Sequence, residues 1–262
     1  MHKDLAGRHA LVCGGSEGIG LAAATALAER GADVTVLARR PGRLSEVAAG
    51  LPRVHESQRH GYLAADAADT AALGEKVAAL CAGRGVQILL NNTAGPAGGP
   101  AHVADPQAYL DVFRQHLVAG QVLVQAVLPG MKAAGWGRIV NVISTSVKEP
   151  IANLGVSNTI RGAVASWAKT LSGELGPFGI TVNNVLPGYT RTQRLDQILA
   201  ERARATGKSE EEIARGMLAT VPAGRFAEPA EVAAAIAFLA SPVAGYVNGI
   251  NLPVDGGRTK SL

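Results

Sequence analysis

The stretch Gly14-Gly15-Ser16-Glu17-Gly18-Ile19-Gly20 carries the first chemistry legible in this chain. Glycines let a backbone turn sharply and approach a pyrophosphate, whose charge the N-terminus of a following helix can meet. The spacing is Gly-x-x-x-Gly-x-Gly, not the commoner Gly-x-Gly-x-x-Gly, and a plain tight turn would use the same glycines. Further on, an apolar run ends in Ala38 and continues into Arg39-Arg40, with no acid at its tip. An acid there would bond the ribose 2′-hydroxyl of NAD, whereas a guanidinium fork suits the 2′-phosphate of NADP. The two arginines therefore point to NADP(H), with a solvated Arg pair as the alternative. Glu17 inside the loop counts mildly against it, since a basic residue would help more.

The glycine loop means something only between a strand and a helix, and the patterning supplies both. Arg8 to Cys13 reads as a buried strand, Gly18 to Arg30 as an Ala-rich helix closed by Gly31, and Asp33 to Ala38 as a second strand. The alternation continues with a weaker strand at Tyr62–Ala65, a helix at Thr70–Cys81 and a strand at Val86–Asn91. A long helix over Pro106–Ala133, a strand at Arg138–Ile143, a helix over Asn153–Leu175 and a strand at Thr181–Leu186 follow. After a charged helical stretch, a helix at Pro229–Ala240 leads to a last strand at Ile250–Val254. This pattern predicts an α/β fold: one doubly wound, Rossmann-type domain over residues 1–262, with a seven-stranded parallel sheet and helices on both faces. The charged stretch at about 190–219 reads as a helical insertion over the site, a substrate lid.

Composition narrows the function. The net charge of +4 is modest, the arginines are scattered, and aromatics make up 4% of the chain, too few for a nucleic-acid surface. No apolar run approaches membrane-spanning length, and Met1-His2-Lys3-Asp4-Leu5 has no signal core, which reads as a cytoplasmic protein. Cys13 and Cys81 lack partners at metal spacing, so no metal is expected.

Several motifs stand in an order that resembles the short-chain dehydrogenase/reductase family from about residue 7 to 258. The glycine loop matches the family's cofactor fingerprint, with Cys13 where a Thr is usual. Asp66, followed by Ala67, matches the acid that touches the adenine. Asn91-Asn92-Thr93-Ala94-Gly95 resembles the Asn-Asn-Ala-Gly motif with a Thr inserted, and Pro187-Gly188 with Thr190 and Thr192 matches the segment that holds the nicotinamide amide. Val254-Asp255-Gly256-Gly257 matches the usual ending, and the look is that of 3-oxoacyl-carrier-protein reductases. The resemblance implies bound NADP(H), a small-molecule substrate and a homo-oligomer, tetramer or dimer.

The catalytic positions depart from the family. Ser144 stands where its Ser is expected, but Ser157 replaces the Tyr, Arg161 the Lys and His116 the Asn. The tyrosines are Tyr62, Tyr109, Tyr189 and Tyr246, and none has a Lys four residues later. A Ser hydroxyl is a poor acid and Arg does not release its proton, so this set cannot repeat the family's proton transfer. It can donate hydrogen bonds and fixed charge to a developing oxyanion, and Arg161 can take over the Lys contact with the nicotinamide ribose. The proton is then expected from water or from His116, a type that titrates near neutrality. Lys148 is a further candidate donor, with a solvated loop lysine as the alternative. Three functions fit: an NADPH-dependent reductase of a ketone or similar polarised double bond, a non-redox isomerase, lyase or cyclase, or a non-catalytic NADP(H)-binding protein.

Overall fold

The computed structural model describes residues 3–261. The first apolar run forms β1 (His9–Cys13), buried at every position as a central parallel strand must be. The glycine loop leads into α1 (Gly18–Glu29), and β2 (Asp33–Ala38) runs parallel to β1. Then come α2 (Pro41–Gly50), β3 (His60–Ala64), α3 (Thr70–Gly83) and β4 (Ile88–Asn91). The expected long helix is present, but it consists of α4 (Pro106–Phe113) and α5 (Ala119–Ala133) joined by a π-helical turn over Arg114–Val118. β5 (Gly137–Val142), α6 (Gly155–Leu175) and β6 (Ile180–Pro187) follow. The charged stretch folds as α7 (Gln193–Thr206) and α8 (Glu210–Leu218), and α9 (Pro229–Leu239) precedes β7 (Asn251–Val254).

The seven strands form one sheet in the order β3-β2-β1-β4-β5-β6-β7, parallel throughout. Alternate residues feed two cores. Ala10, Val12, Ile88 and Leu90 pack with α1 and α9 on one face, and Leu11, Leu89 and Ile139 with α3, α5 and α6 on the other. Because all strands point the same way, their carboxyl ends share one edge. The chain winds outward in both directions from β1 and β4, leaving there the crevice in which such sheets bind ligands.

Two features fix that edge. Asn91, Asn141, Asn184 and Asn251 occupy paired register positions, and their side-chain amides link across four strands at 2.9, 2.8 and 2.8 Å. A largely satisfied polar ladder of this kind resists a slip in register, since a slip strands buried amides. The loop after β4 is also stitched to the start of α6: Gly99 N–H donates to the Asn153 carbonyl at 2.7 Å, and Gly155 N–H to the Gly99 carbonyl at 3.0 Å. Asn153 sits at φ 59° to make this junction, a left-handed conformation that Asn tolerates better than most residues.

Candidate active site

The glycine loop is built by contact. A Cβ on Gly20 would lie 2.0 Å from the Gly14 carbonyl oxygen, and one on Gly14, at φ +62°, would lie 2.6 Å from the Asn92 carbonyl oxygen. Gly20 thus lets α1 approach β1, and Gly14 lets the loop lie against the strand end that carries Asn92. The side chain of Glu17, the residue before α1, makes no capping bond to the first-turn amides. Ser16 is buried, and Ile19 packs on the core behind the loop. Gly20→Ala is expected to destabilise the protein by about 1–3 kcal/mol through this clash, read as the shift in urea midpoint; an unchanged midpoint would contradict the packing.

Beyond β2 the two arginines separate. Arg40 donates to Glu17 Oε2 at 2.9 Å, a bridge between exposed groups that joins the β1 and β2 loops. Arg39 is exposed and forms no ion pair among the described residues. Past β3, exposed Asp66 accepts from the Ala68 amide at 3.0 Å, with Ala67 half-buried beside it. Asn91 is held in the ladder and Asn92 lies against the glycine loop, while Ala94 is exposed and Gly95 half-buried.

The replaced catalytic positions stand just after β5, on α6 and in the π turn between α4 and α5. Ser144 follows β5, and its Oγ accepts from the Ser146 amide at 3.1 Å, which leaves the hydroxyl hydrogen to donate elsewhere. Ser157 and Arg161 stand four residues apart on α6 and so share a face. Arg161 is buried and donates Nη1 to the Val142 carbonyl at 2.8 Å, at the end of the strand that leads to Ser144. Its Nη2 lies 3.9 Å from where a Gly95 Cβ would be. Burial lowers its pKa to about 10, so it stays charged in neutral solution.

His116 sits inside the π turn, a distortion often found at functional sites, which turns it inward to 7% exposure. Its Nδ1 is 2.5 Å from Thr93 Oγ1. The expectation that His116 titrates near neutrality is corrected: burial, and beyond it the Arg161 charge, push its pKa down to about 3. It is a neutral imidazole at physiological pH. Burial likewise lowers His9, the first residue of β1 and 2.8 Å from Thr35 Oγ1, to about 4. Both pKa values fall below the unfolded value, so their neutral forms stabilise the fold above about pH 6.5. That stability drains away as pH falls and the unfolded chain takes up protons the folded one refuses. Between pH 7 and pH 5 each is expected to remove about 1–2 kcal/mol, read by denaturant unfolding at the two pH values. No loss over that interval would contradict the burial of both rings.

The sequence reading missed several contacts in this region. Thr93, noted only as an insertion, is the partner of His116. Arg194 on α7 donates to the Pro96 carbonyl at 2.7 Å and ties that helix to the loop after β4. Glu149 accepts from the Lys260 and Ser261 amides at 2.6 and 2.7 Å, and Arg258 reaches Thr145 Oγ1 at 3.3 Å. The chain end is thereby strapped across the loop after β5. Thr190 and Thr192 lie past Pro187-Gly188, where Thr192 begins α7 and packs against Gly18, its methyl 3.2 Å from a Gly18 Cβ position. Thr190 and Thr192 are legible in the sequence with Pro187-Gly188, and of the missed contacts only the Thr93 insertion leaves a signal there.

Among the described residues no group of three or more His, Cys, Asp or Glu is placed to hold a metal, and no helix is long and apolar enough to cross a membrane.

The family model described as enoyl-(acyl carrier protein) reductase matches residues 14–259. The chain belongs to the short-chain dehydrogenase/reductase family. Within it, the chain is 31% identical to the NADPH-dependent reductase BacG of Bacillus subtilis, over 97% of this chain and 99% of that one. It is 34% identical to the 3-oxoacyl-[acyl-carrier-protein] reductase FabG of Vibrio cholerae, over 97% and 98%. Its fold superposes on L-sorbose reductase from Gluconobacter frateurii, solved with NADPH and L-sorbose, at a TM-score of 0.92, with 29% identity and 100% of both chains covered. These short-chain dehydrogenase/reductase relatives are oxidoreductases that use a nicotinamide nucleotide, and the single seven-stranded domain is the one they share.

Proposed function

We propose that this chain is an NADPH-dependent reductase of ketones or similarly polarised double bonds, with Ser144, Ser157 and Arg161 in place of the family's Ser, Tyr and Lys. The observation that carries the reading is the buried Arg161 guanidinium, held by the Val142 carbonyl beside the turn that bears Ser144.

The residues present fit a bound NADP(H). The Glu17 side chain does not cap the first turn of α1, the loop glycines admit close approach, and among the described residues Arg39 forms no ion pair at a strand tip that has no acid. Gly14, Ser16, Glu17, Gly18, Ile19 and Gly20 would line the pyrophosphate, Arg39 and secondarily Arg40 the 2′-phosphate, and Asp66 and Ala67 the adenine. Asn91, Asn92, Ala94, Gly95 and Arg161 would flank the nicotinamide ribose, and Pro187, Gly188, Thr190 and Thr192 the carboxamide. When bound, the reduced nicotinamide supplies a hydride. Ser144 and Ser157 donate hydrogen bonds to the substrate oxygen and Arg161 supplies fixed charge, a preorganised arrangement that needs no rearrangement as charge develops. Neutral His116 orients Thr93, and water supplies the proton. The α7–α8 segment serves as the lid, tied down through Arg194.

Apolar side chains left exposed at Leu110 and Phe113 on α4, and at Phe238, Val243 and Tyr246 near β7, support a homo-oligomer, which sedimentation would measure. The replaced tyrosine also favours a second reading, a non-redox enzyme that keeps the nucleotide as a floor.

The test follows nicotinamide absorbance under saturating NADPH with 3-oxoacyl thioesters, diketones, quinones and simple ketones. Consumption in proportion to product supports the reductase. Product without net absorbance change supports the non-redox reading, and binding without any turnover leaves a nucleotide-responsive binding protein.

A further inference from the structure

β5 ends at Val142, and the amide of the next residue, Ile143, still reaches the Val185 carbonyl of β6 at 3.0 Å. Beyond it the backbone closes on itself. The amides of Val147, Lys148 and Glu149 bond to the carbonyls of Ser144 and Thr145, and the Ser146 amide bonds to Ser144 Oγ. Ser144 thus rides on a three-residue 3₁₀ turn, Thr145–Val147, a structure with poor hydrogen-bond geometry and little stability of its own. A hydroxyl that must meet a reacting oxygen needs firmer placement, since an error of about 1 Å costs on the order of a hundredfold in rate.

The segment after β7 supplies that placement. Asp255 turns the chain back: its Oδ1 accepts from the Gly257 amide at 3.0 Å and its Oδ2 from the Thr259 amide at 2.8 Å. The base of the segment is anchored, because the Gly256 carbonyl accepts from the Ala223 amide at 3.0 Å. Arg258 then lies between two parts of the site. Its guanidinium stands over the Tyr189 ring, 5.0 Å from the centroid, and its Nη1 donates to Thr145 Oγ1 at 3.3 Å. Thr145 is buried and directly follows Ser144. At the far end of the turn, Glu149 Oε1 accepts from the Lys260 and Ser261 amides at 2.6 and 2.7 Å. The turn is therefore gripped from outside at both ends.

We propose that Arg258 and Glu149 are positioning residues for Ser144: through them the segment after β7 holds the Ser144 turn in register with the substrate oxygen. The inference rests on the reductase reading, in which Ser144 donates to that oxygen. Neither residue meets the substrate, and each acts through the turn.

Two readouts test it. Hydrogen exchange of the Ser146 amide, followed by NMR, reports on Ser144 Oγ directly, because that amide donates to it. Arg258→Ala is expected to speed this exchange about tenfold and to leave the β5 amides as slow as in the parent. Should Arg258→Ala fold poorly, Thr145→Val removes the acceptor at nearly constant shape and should give the same change. An unaltered Ser146 rate, or β5 amides that loosen as much, would overturn the proposal.

The second readout is kinetic. Under saturating NADPH, Arg258→Ala and Glu149→Ala should each lower kcat about tenfold with KM for the ketone unchanged. Glu149→Gln, whose Oε1 still accepts, should keep most of the rate. In a Ser144→Ala background Arg258→Ala should cost nothing more, since a residue that acts through a hydroxyl has no effect once the hydroxyl is gone. The full loss in that background, or a raised KM at unchanged kcat, would overturn the proposal and place Arg258 on the substrate itself. No NADPH consumption by the parent with any carbonyl would end the reductase reading, and the Ser146 exchange would still decide whether the segment holds the turn.

Discussion

Arg161→Ala is expected to lower turnover by about 10²- to 10³-fold, the effect of removing one preorganised oxyanion donor. His116→Asn is expected to change it by no more than a few-fold. The asymmetry follows from charge. Arg161 is held in place by the Val142 carbonyl and remains ionised, with its pKa at about 10. His116 carries no charge at neutral pH, because burial and the neighbouring guanidinium hold its pKa near 3, and it contributes a hydrogen bond to Thr93. Steady-state rates at saturating NADPH measure both variants. An Arg161→Ala protein as active as its parent would show that the oxyanion is held elsewhere.

Arg39→Ala should weaken NADPH binding roughly 10- to 100-fold, the range for losing hydrogen bonds to a charged group, and leave NADH binding unchanged. The structure separates this arginine from its neighbour. Arg40 is engaged by Glu17 at 2.9 Å, so Arg40→Ala should cost only a few-fold. For the same reason Glu17→Gln, which frees Arg40, should tighten NADPH by a similar factor. Both bridge partners are exposed, and an ion pair of that kind contributes little to stability, so these variants should unfold like the parent. Fluorescence titration with the two nucleotides reads all three. Equal losses for NADH and NADPH on changing Arg39 would mean that it does not meet the 2′-phosphate.

The parts of this account visible in the sequence are those set by local pattern. The strand–glycine–helix order around Gly14–Gly20 placed the first crevice loop, and the apolar runs located all seven strands within a residue or two. The edge strand was read at Tyr62–Ala65 and lies at His60–Ala64, because half-buried positions blur the apolar pattern. Helix α2 went unread: Leu44, Val47 and Ala48 do form an apolar stripe, but Gly42 and Gly50 depress helix propensity and leave Pro41 as its one start signal. The π turn at Arg114–Val118 is invisible to a 3.6-residue period, which is the period it breaks. The pairs Thr93–His116, Glu17–Arg40 and Glu149 with the tail amides join residues far apart in sequence, and they exist only because the parallel sheet gathers its strand ends on one edge. The ordinary pKa of histidine suggested a donor at position 116, and burial removed it.

The central claim is that this site reduces its substrate without a titrating acid, and the pH dependence of turnover tests it most directly. With the best substrate of the carbonyl panel, kcat under saturating NADPH is predicted to stay level from pH 6 to about pH 9, since Arg161 ionises only near 10 and His116 only near 3. A rate that rises or falls through a single ionisation within that interval would contradict the account, because a proton donor would then be at work that Ser144, Ser157, Arg161 and His116 do not supply.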